Sequence, residues 1–211
     1  MTDPIRHLID ASETYLRRFD MEGTQNVASG IARWKGGLLN PLTPQPDPRC
    51  GFLDEAIAAI AGADELQAAI STARPFLKWV TYDLYKPEEI GPRFPEAHAF
   101  AALMGGDAPI HADDFELGIF LIAPRTLYRD HHHAAPEIYA PLTGPHGWRF
   151  GVAETFHDKP AHDPVWNPAW AVHATLVRDV PFLCLFGWTL DVNIPAKTVP
   201  APDWDMLEAR L

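Results

Sequence analysis

Cysteine is scarce: Cys50 and Cys184 are the only two, and they lie far apart. Such a pair makes neither a zinc motif nor a disulfide framework, so a reducing compartment is the default and a cytoplasmic location the expectation. Basic charge is also short. Seventeen Lys and Arg stand against 28 Asp and Glu, a formal net charge of -11. An acidic chain without a Lys/Arg stripe repels phosphate backbones, which argues against nucleic acid as a partner. The acid excess reads instead as a solvated surface. Long apolar runs are missing too. No stretch approaches the roughly 20 apolar residues of a membrane span, so no membrane is expected as a partner. The opening "MTDPIRHLIDASETYLRRF" is amphipathic and carries acids, unlike the apolar core of a signal peptide.

Proline and tryptophan, by contrast, are plentiful, at 21 and seven residues. Prolines cluster between apolar segments, as in "NPLTPQPDPRCG" and "HDKPAHDPVWNP", which predicts many short elements joined by stiff loops. The first half has helical periodicity. Thr2 is placed to cap a helix whose face is Ile5, Leu8, Ile9, Ser12, Tyr15, Leu16 and Phe19. "FLDEAIAAIAGA" and "DELQAAISTA" read as two more helices, the second capped by Asp64 and stopped before Pro75. "FPEAHAFAALMGG" reads as a fourth, while 76–92 fits helix or strand. After Gly105 the pattern changes. "FELGIFLIAP", "EIYAPL", "GWRFGVAETF", "AWAVHATLV" and "PFLCLFGWTLDV" are short aromatic and β-branched runs between turn residues, with "GPHGW" a turn. The expected fold is mainly β, an antiparallel sandwich or barrel over 106–211 carrying a helical N-terminal extension over 1–105.

"DHHHAAPEIY", Asp130 to Tyr139, concentrates imidazole beside a carboxylate and a phenol. Strand side chains alternate, so His131, His133, Glu137 and Tyr139 share one face and His132 takes the other. A tight turn over Ala134–Pro136 would instead end one strand with the histidines and begin the next with Glu137. Either geometry gathers the groups, and His173, among small apolar residues in "NPAWAVHATLV", is the natural further ligand. Nitrogen and oxygen donors together suit one divalent transition metal, Fe, Mn, Ni, Co or Zn, and disfavour calcium. His146, His157 and His162 read as solvated loop residues.

"HHHAAPEIYAPLTG" is similar to the first motif of the cupin superfamily, with His131, His133, Glu137 and Gly144 at the motif positions. "PAWAVH", Pro168 to His173, fits the second motif loosely: Trp170 stands at the usual glycine and Val177 at the usual asparagine. The implied fold is the cupin double-stranded β-helix, a jelly-roll-like barrel. Tyr128 upstream, Tyr139 after the glutamate, and Trp188 in "FGWTLDV" make the chain resemble the bacterial cupin-type dimethylsulfoniopropionate (DMSP) lyases, the DddQ-like group. The resemblance is specific over about 125–190. It implies that His133, Glu137 and His173 bind the metal with Tyr139 at or near it. It also implies that His131 belongs to the site, with ligand and substrate contact both open to it, and that Tyr128 and Trp188 line the substrate pocket.

The implied reaction suits these residues. DMSP joins a carboxylate to a sulfonium through two methylenes, and its β-elimination to acrylate and dimethyl sulfide removes a poorly acidic proton next to the carboxylate. A Lewis-acidic metal can draw charge from that carboxylate. Tyr139, and less directly Tyr128, are the candidate catalytic phenols, since a nearby cation favours phenolate. Aromatic faces such as Trp188 and Tyr128 recognise a sulfonium, which has no hydrogen-bond donor. Two alternatives are another cupin enzyme, a dioxygenase or an isomerase, and a non-catalytic ligand-binding cupin. A phosphosugar enzyme would want several pocket cations, where the strands offer mainly Arg149 and Arg178. A homodimer is a reasonable expectation from the fold class.

Overall fold

The computed structural model describes residues 3–211. The helices are α1 (Pro4–Leu16), α2 (Glu22–Trp34), α3 (Leu53–Ala58), α4 (Asp64–Ala73), α5 (Pro87–Ile90), α6 (Phe94–Ala97) and α7 (Trp204–Glu208). The strands are β1 (His98–Gly105), β2 (Ile110–His111), β3 (Phe115–Ile122), β4 (Thr126–His132), β5 (Glu137–Pro141), β6 (His146–Phe150), β7 (His157–Lys159), β8 (Val165–Asn167), β9 (His173–Val177), β10 (Phe182–Thr189) and β11 (Lys197–Thr198). They form a six-stranded sheet in the order β2-β1-β3-β10-β5-β8 and a five-stranded sheet in the order β11-β4-β9-β6-β7.

Side-chain alternation explains why the six-stranded sheet is covered on both sides. One face carries Ala99, Ala101, Leu117, Ile119, Leu121, Ile138, Ala140, Leu183 and Leu185, which form one core with α1, α2 and α4. The opposite face carries Phe120, Ile122, Tyr139, Phe182, Cys184 and Phe186, which form a second core with Tyr128, Trp148 and Val177 of the other sheet. Helices therefore lie outside, the two sheets face each other, and the space between them is the barrel interior. This is the expected mainly β layout, a two-sheet barrel with its helices packed outside. Helix α2 comes close to the sheet through glycine: a Cβ at Gly23 would sit 2.2 Å from the Trp166 ring, and one at Gly30 2.3 Å from that of Phe115.

Two local expectations need correction, and a third cannot be placed. The cap expected from Thr2 lies outside the described residues; the Asp3 carboxylate accepts from the Ile5 and Arg6 amides at 2.9 and 3.3 Å. Asp64 is not the cap of α4 but its first residue, after Ala63, where its charge still suits the positive end of the helix dipole. The helix expected over "FPEAHAFAALMGG" is only the short α6; His98–Gly105 is β1, paired antiparallel with β3. The sheet therefore begins before the boundary expected at 105. The ambiguous segment 76–92 is mostly irregular. It holds an isolated bridge from Val80 to Phe100 and ends in α5.

Candidate metal centre and cavity

Local pairing builds the site. β4 runs antiparallel to β9, with His131 opposite His173 and an irregularity between Tyr128 and His131. After His132 the chain turns through Ala134–Pro136 and enters β5 at Glu137, crossing from the five-stranded to the six-stranded sheet. Of the two geometries open in the sequence, the tight turn is the one formed. It closes the histidines of one sheet onto the glutamate of the other.

His131, His133 and His173 are buried, and one nitrogen from each lies within 4.8 Å of the others. Each Nδ1 sits against a backbone carbonyl: His131 on Arg129 at 2.8 Å, His133 on Ala135 at 2.7 Å, His173 on Ala171 at 2.9 Å. A carbonyl only accepts, so each Nδ1 carries the hydrogen and each Nε2 turns a lone pair inward. Glu137 Oε2 lies 3.1 Å from His133 Nε2 and 3.3 Å from His173 Nε2. The His173 approach lacks hydrogen-bond geometry, and the Nε2 atoms of His131 and His173 are buried without a partner among the described residues. Imidazole lone pairs that converge on one another and on a carboxylate oxygen are costly in a protein interior. A divalent cation resolves that conflict, so this donor set fits a metal; imidazole nitrogen and carboxylate oxygen together suit a first-row transition ion.

Without a metal, the same groups would share protons among themselves. Burial works to raise the Glu137 pKa, but His133 and His173 overcome it and hold the carboxyl well below its usual range. Burial, then repulsion from the other two histidines, pushes His131 well below the ordinary imidazole value and keeps it neutral. Burial disfavours charge on His133 as well, yet Glu137 raises its pKa. The other Glu137 oxygen is held too. Trp188 Nε1 donates to Oε1 at 2.6 Å, and Asn167 Nδ2 donates to Oε2 at 3.3 Å.

A cavity of about 320 Å³ opens beside these groups, lined by Tyr128, Glu137, Tyr139, Phe186, Trp188 and Glu116 among others. Its size suits a small ligand. Tyr128 stacks on His131 with ring centroids 3.9 Å apart, and its hydroxyl shares a hydrogen bond with that of Tyr85 at 2.7 Å. The Tyr139 ring lies 6.3 Å from that of His173. Burial, then the Glu137 charge, raises the Tyr139 pKa well above the ordinary phenol value. The Trp188 ring sits 4.5 Å from His133. All the expected site residues are thus gathered at one end of the barrel interior.

Other histidines divide. His157 is exposed, as expected. His146 is not solvated: it is buried at the start of β6, and burial lowers its pKa to about 4. His162 is held by the Tyr15 hydroxyl at 2.7 Å and the Ala61 carbonyl. Trp170, at the usual glycine position of the second motif, has φ +63, the left-handed conformation that glycine adopts without strain. Its half-exposed ring packs on His132. Asn167, Tyr85 and Glu116 were not singled out from the sequence. Only Glu116 left a signal there, as an acid in phase with Phe120 and Ile122 in "FELGIFLI".

The dimethylsulfoniopropionate lyase family model matches residues 40–184. The chain belongs to the DMSP lyase family. Dimethylsulfoniopropionate lyase DddQ of Ruegeria pomeroyi is 26% identical over 163 residues, which span 76% of this chain and 79% of the relative. The crystal structure of that DMSP lyase from Ruegeria pomeroyi superposes with a TM-score of 0.68 at 21% identity, covering 94% of this chain and 98% of that one. A structure described with the DMSP lyases RdDddP and RnDddQII gives a TM-score of 0.71 at 18% identity, covering 93% and 98%. Helices and barrel are therefore a shared family fold.

Proposed function

We propose that this chain is a metal-dependent carbon–sulfur lyase that cleaves DMSP to acrylate and dimethyl sulfide. His131, His133, His173 and Glu137 would hold one divalent ion. The ion supplies Lewis acidity toward the substrate carboxylate and positive charge that favours phenolate over phenol. The protein's own groups do the rest. Glu137 and the inward Nε2 atoms fix where the carboxylate end sits. Tyr139 Oη takes the proton from the carbon next to that carboxylate, and the electron pair left behind forms the new double bond as the C–S bond breaks. Dimethyl sulfide leaves neutral, so no acid is needed to protonate it. Tyr128 is a positioning residue in this scheme, because its hydroxyl is engaged by Tyr85 and its ring by His131. The apolar walls exclude water, which strengthens every charge interaction inside.

The observation that carries the reading is the pair of unpartnered Nε2 atoms of His131 and His173 beside Glu137, which itself lines a cavity walled by Tyr139 and Trp188. Purified protein loaded in turn with Zn, Fe, Mn, Ni and Co should release dimethyl sulfide from DMSP, read by headspace gas chromatography. Silence with every metal would refute the lyase. Turnover under strict anaerobiosis separates it from a dioxygenase. His173→Ala should lose bound metal, and full retention would remove its ligand role. The homodimer and the cytoplasmic location are further expectations, read by light scattering and by cell fractionation. No helix among the described residues is long and apolar enough to cross a membrane.

A further inference from the structure

Two carboxylates, Glu116 and Glu137, are the only charged side chains lining the cavity among the described residues. Glu137 has its histidines, Asn167 and the Trp188 indole. Glu116 has no hydrogen-bond or ion-pair partner among the described residues, and burial, then repulsion from Glu137, raises its pKa to about 7. Its place in the sheet makes this unusual. On β3 the barrel-facing positions are Glu116, Gly118, Phe120 and Ile122, and apolar atoms are what that face otherwise presents. A poorly solvated acid there costs stability unless something compensates it.

Register shows what it faces. Trp188 of β10 lies directly opposite Glu116 on one side and Glu137 on the other. All three point into the barrel. The row across the sheet is therefore carboxylate, indole, carboxylate, with the two acids' backbones about 10 Å apart at two strand spacings. A molecule whose carboxylate lies at the histidine end and whose cation lies two methylenes away places that cation over the indole, toward Glu116.

From this row we propose that Glu116 is the counter-ion for the cationic end of the substrate and sets the specificity of the cavity for a sulfonium over a neutral thioether. The proposal rests on the lyase reading and deepens it. A sulfonium carries full charge but donates no hydrogen bond, so it needs an aromatic face and an unpaired anion, not a hydrogen-bonding acceptor. Trp188 supplies the first and Glu116 the second. Glu137 cannot supply it, because its oxygens are already committed.

Glu116→Gln removes the charge and keeps the shape. In the zinc-loaded protein it should raise KM for DMSP by about tenfold or more while kcat stays within about threefold. Inhibition by acrylate, which has the carboxylate and no cation, should be unchanged. Glu116→Asp, which keeps the charge, should recover part of the loss. Trimethylsulfonium should bind the wild type by calorimetry and should not bind Glu116→Gln. An unchanged KM overturns the proposal. So does a fall in kcat at constant KM, which would make Glu116 a proton-transfer group, or an equal weakening toward acrylate, which would mean a disturbed cavity. If the wild type releases no dimethyl sulfide, the lyase reading fails, and the trimethylsulfonium measurement alone decides the cation site: binding that depends on Glu116 sustains it, and equal or absent binding ends it.

Discussion

An imidazole whose Nδ1 is tied to a carbonyl has one lone pair left, and its direction is set by the backbone. His131, His133 and His173 are all tied in this way, so the side chains that can still be tuned are those around Glu137 and Tyr139. Tyr139→Phe removes only an oxygen. Loss of a positioned acid or base costs about 10²–10⁴ in rate, so DMSP turnover should fall by that factor while metal content, read by elemental analysis, stays near stoichiometric. Normal turnover in this variant would rule out the phenolate base. Trp188→Phe keeps an aromatic wall but deletes the indole N–H on Glu137 Oε1. Groups that orient a metal ligand are worth roughly 10–100-fold in affinity or activity, so zinc affinity by competition with a chelating dye should fall within that range. Affinity equal to wild type would show that Glu137 needs no such hold. His131, His133, Glu137 and Tyr139 were legible in sequence because they crowd into nine residues, and His173 because small apolar residues flank it. Asn167 was not, because nothing near it in sequence reveals that β8 lies against β5. The Trp188 bond to Glu137 was hidden for the same reason, although its place at the pocket was expected.

β4 has two duties that point to opposite sides. Tyr128 lines the cavity and His131 turns toward the other two histidines, while Asp130 between them is fully buried and takes Arg149 of β6. Arg149 also binds Asp203 at 2.6 Å, and Trp204 donates to Asp130 at 2.7 Å. Arg129 adds an ion pair to Glu208 at 2.8 Å, so α7 is fastened to the back of the strand that carries the histidines. Arg149, one of the two main strand cations counted against a phosphosugar pocket, is committed to this network. Removing one partner of a buried pair leaves the other uncompensated, at a cost of about 3–5 kcal/mol. Arg149→Met should therefore lower unfolding free energy by that amount in urea melts, whereas Lys86→Ala, at an exposed ion pair with Glu89, should leave the melt unchanged. A small loss for Arg149→Met would mean that Asp130 finds another partner or a proton. The helix misread over 94–106 belongs to this level as well. "AHAFAALM" is rich in good helix formers, but β3 beside it offers a full antiparallel ladder, and tertiary pairing overrides weak propensity.

The barrel interior holds titrating groups that pull stability in opposite directions as pH falls. His146 is buried in β6 and its pKa is lowered by burial from 6.5 to about 4, with Asp158 raising it and Arg178 lowering it. The unfolded chain thus binds a proton that the folded chain refuses between pH 6.5 and 4, and stability falls as pH drops through that window. At 1.36 kcal/mol per pH unit the loss from this group is about 3 kcal/mol. Glu116 acts the other way. Its folded pKa, raised from 4.5 to about 7, makes the folded state bind the proton first, so this group adds stability as pH falls from 7 toward 4.5. The two windows overlap between 4.5 and 6.5, where they oppose each other. Urea unfolding of chelator-treated protein across pH 7 to 4 should separate them. His146→Gln should flatten the acid-side loss, and Glu116→Gln should steepen it, because the compensating proton site is gone. Identical pH slopes for wild type and both variants would mean that neither group keeps its buried environment in solution, and the cation site assigned to Glu116 would lose its electrostatic basis.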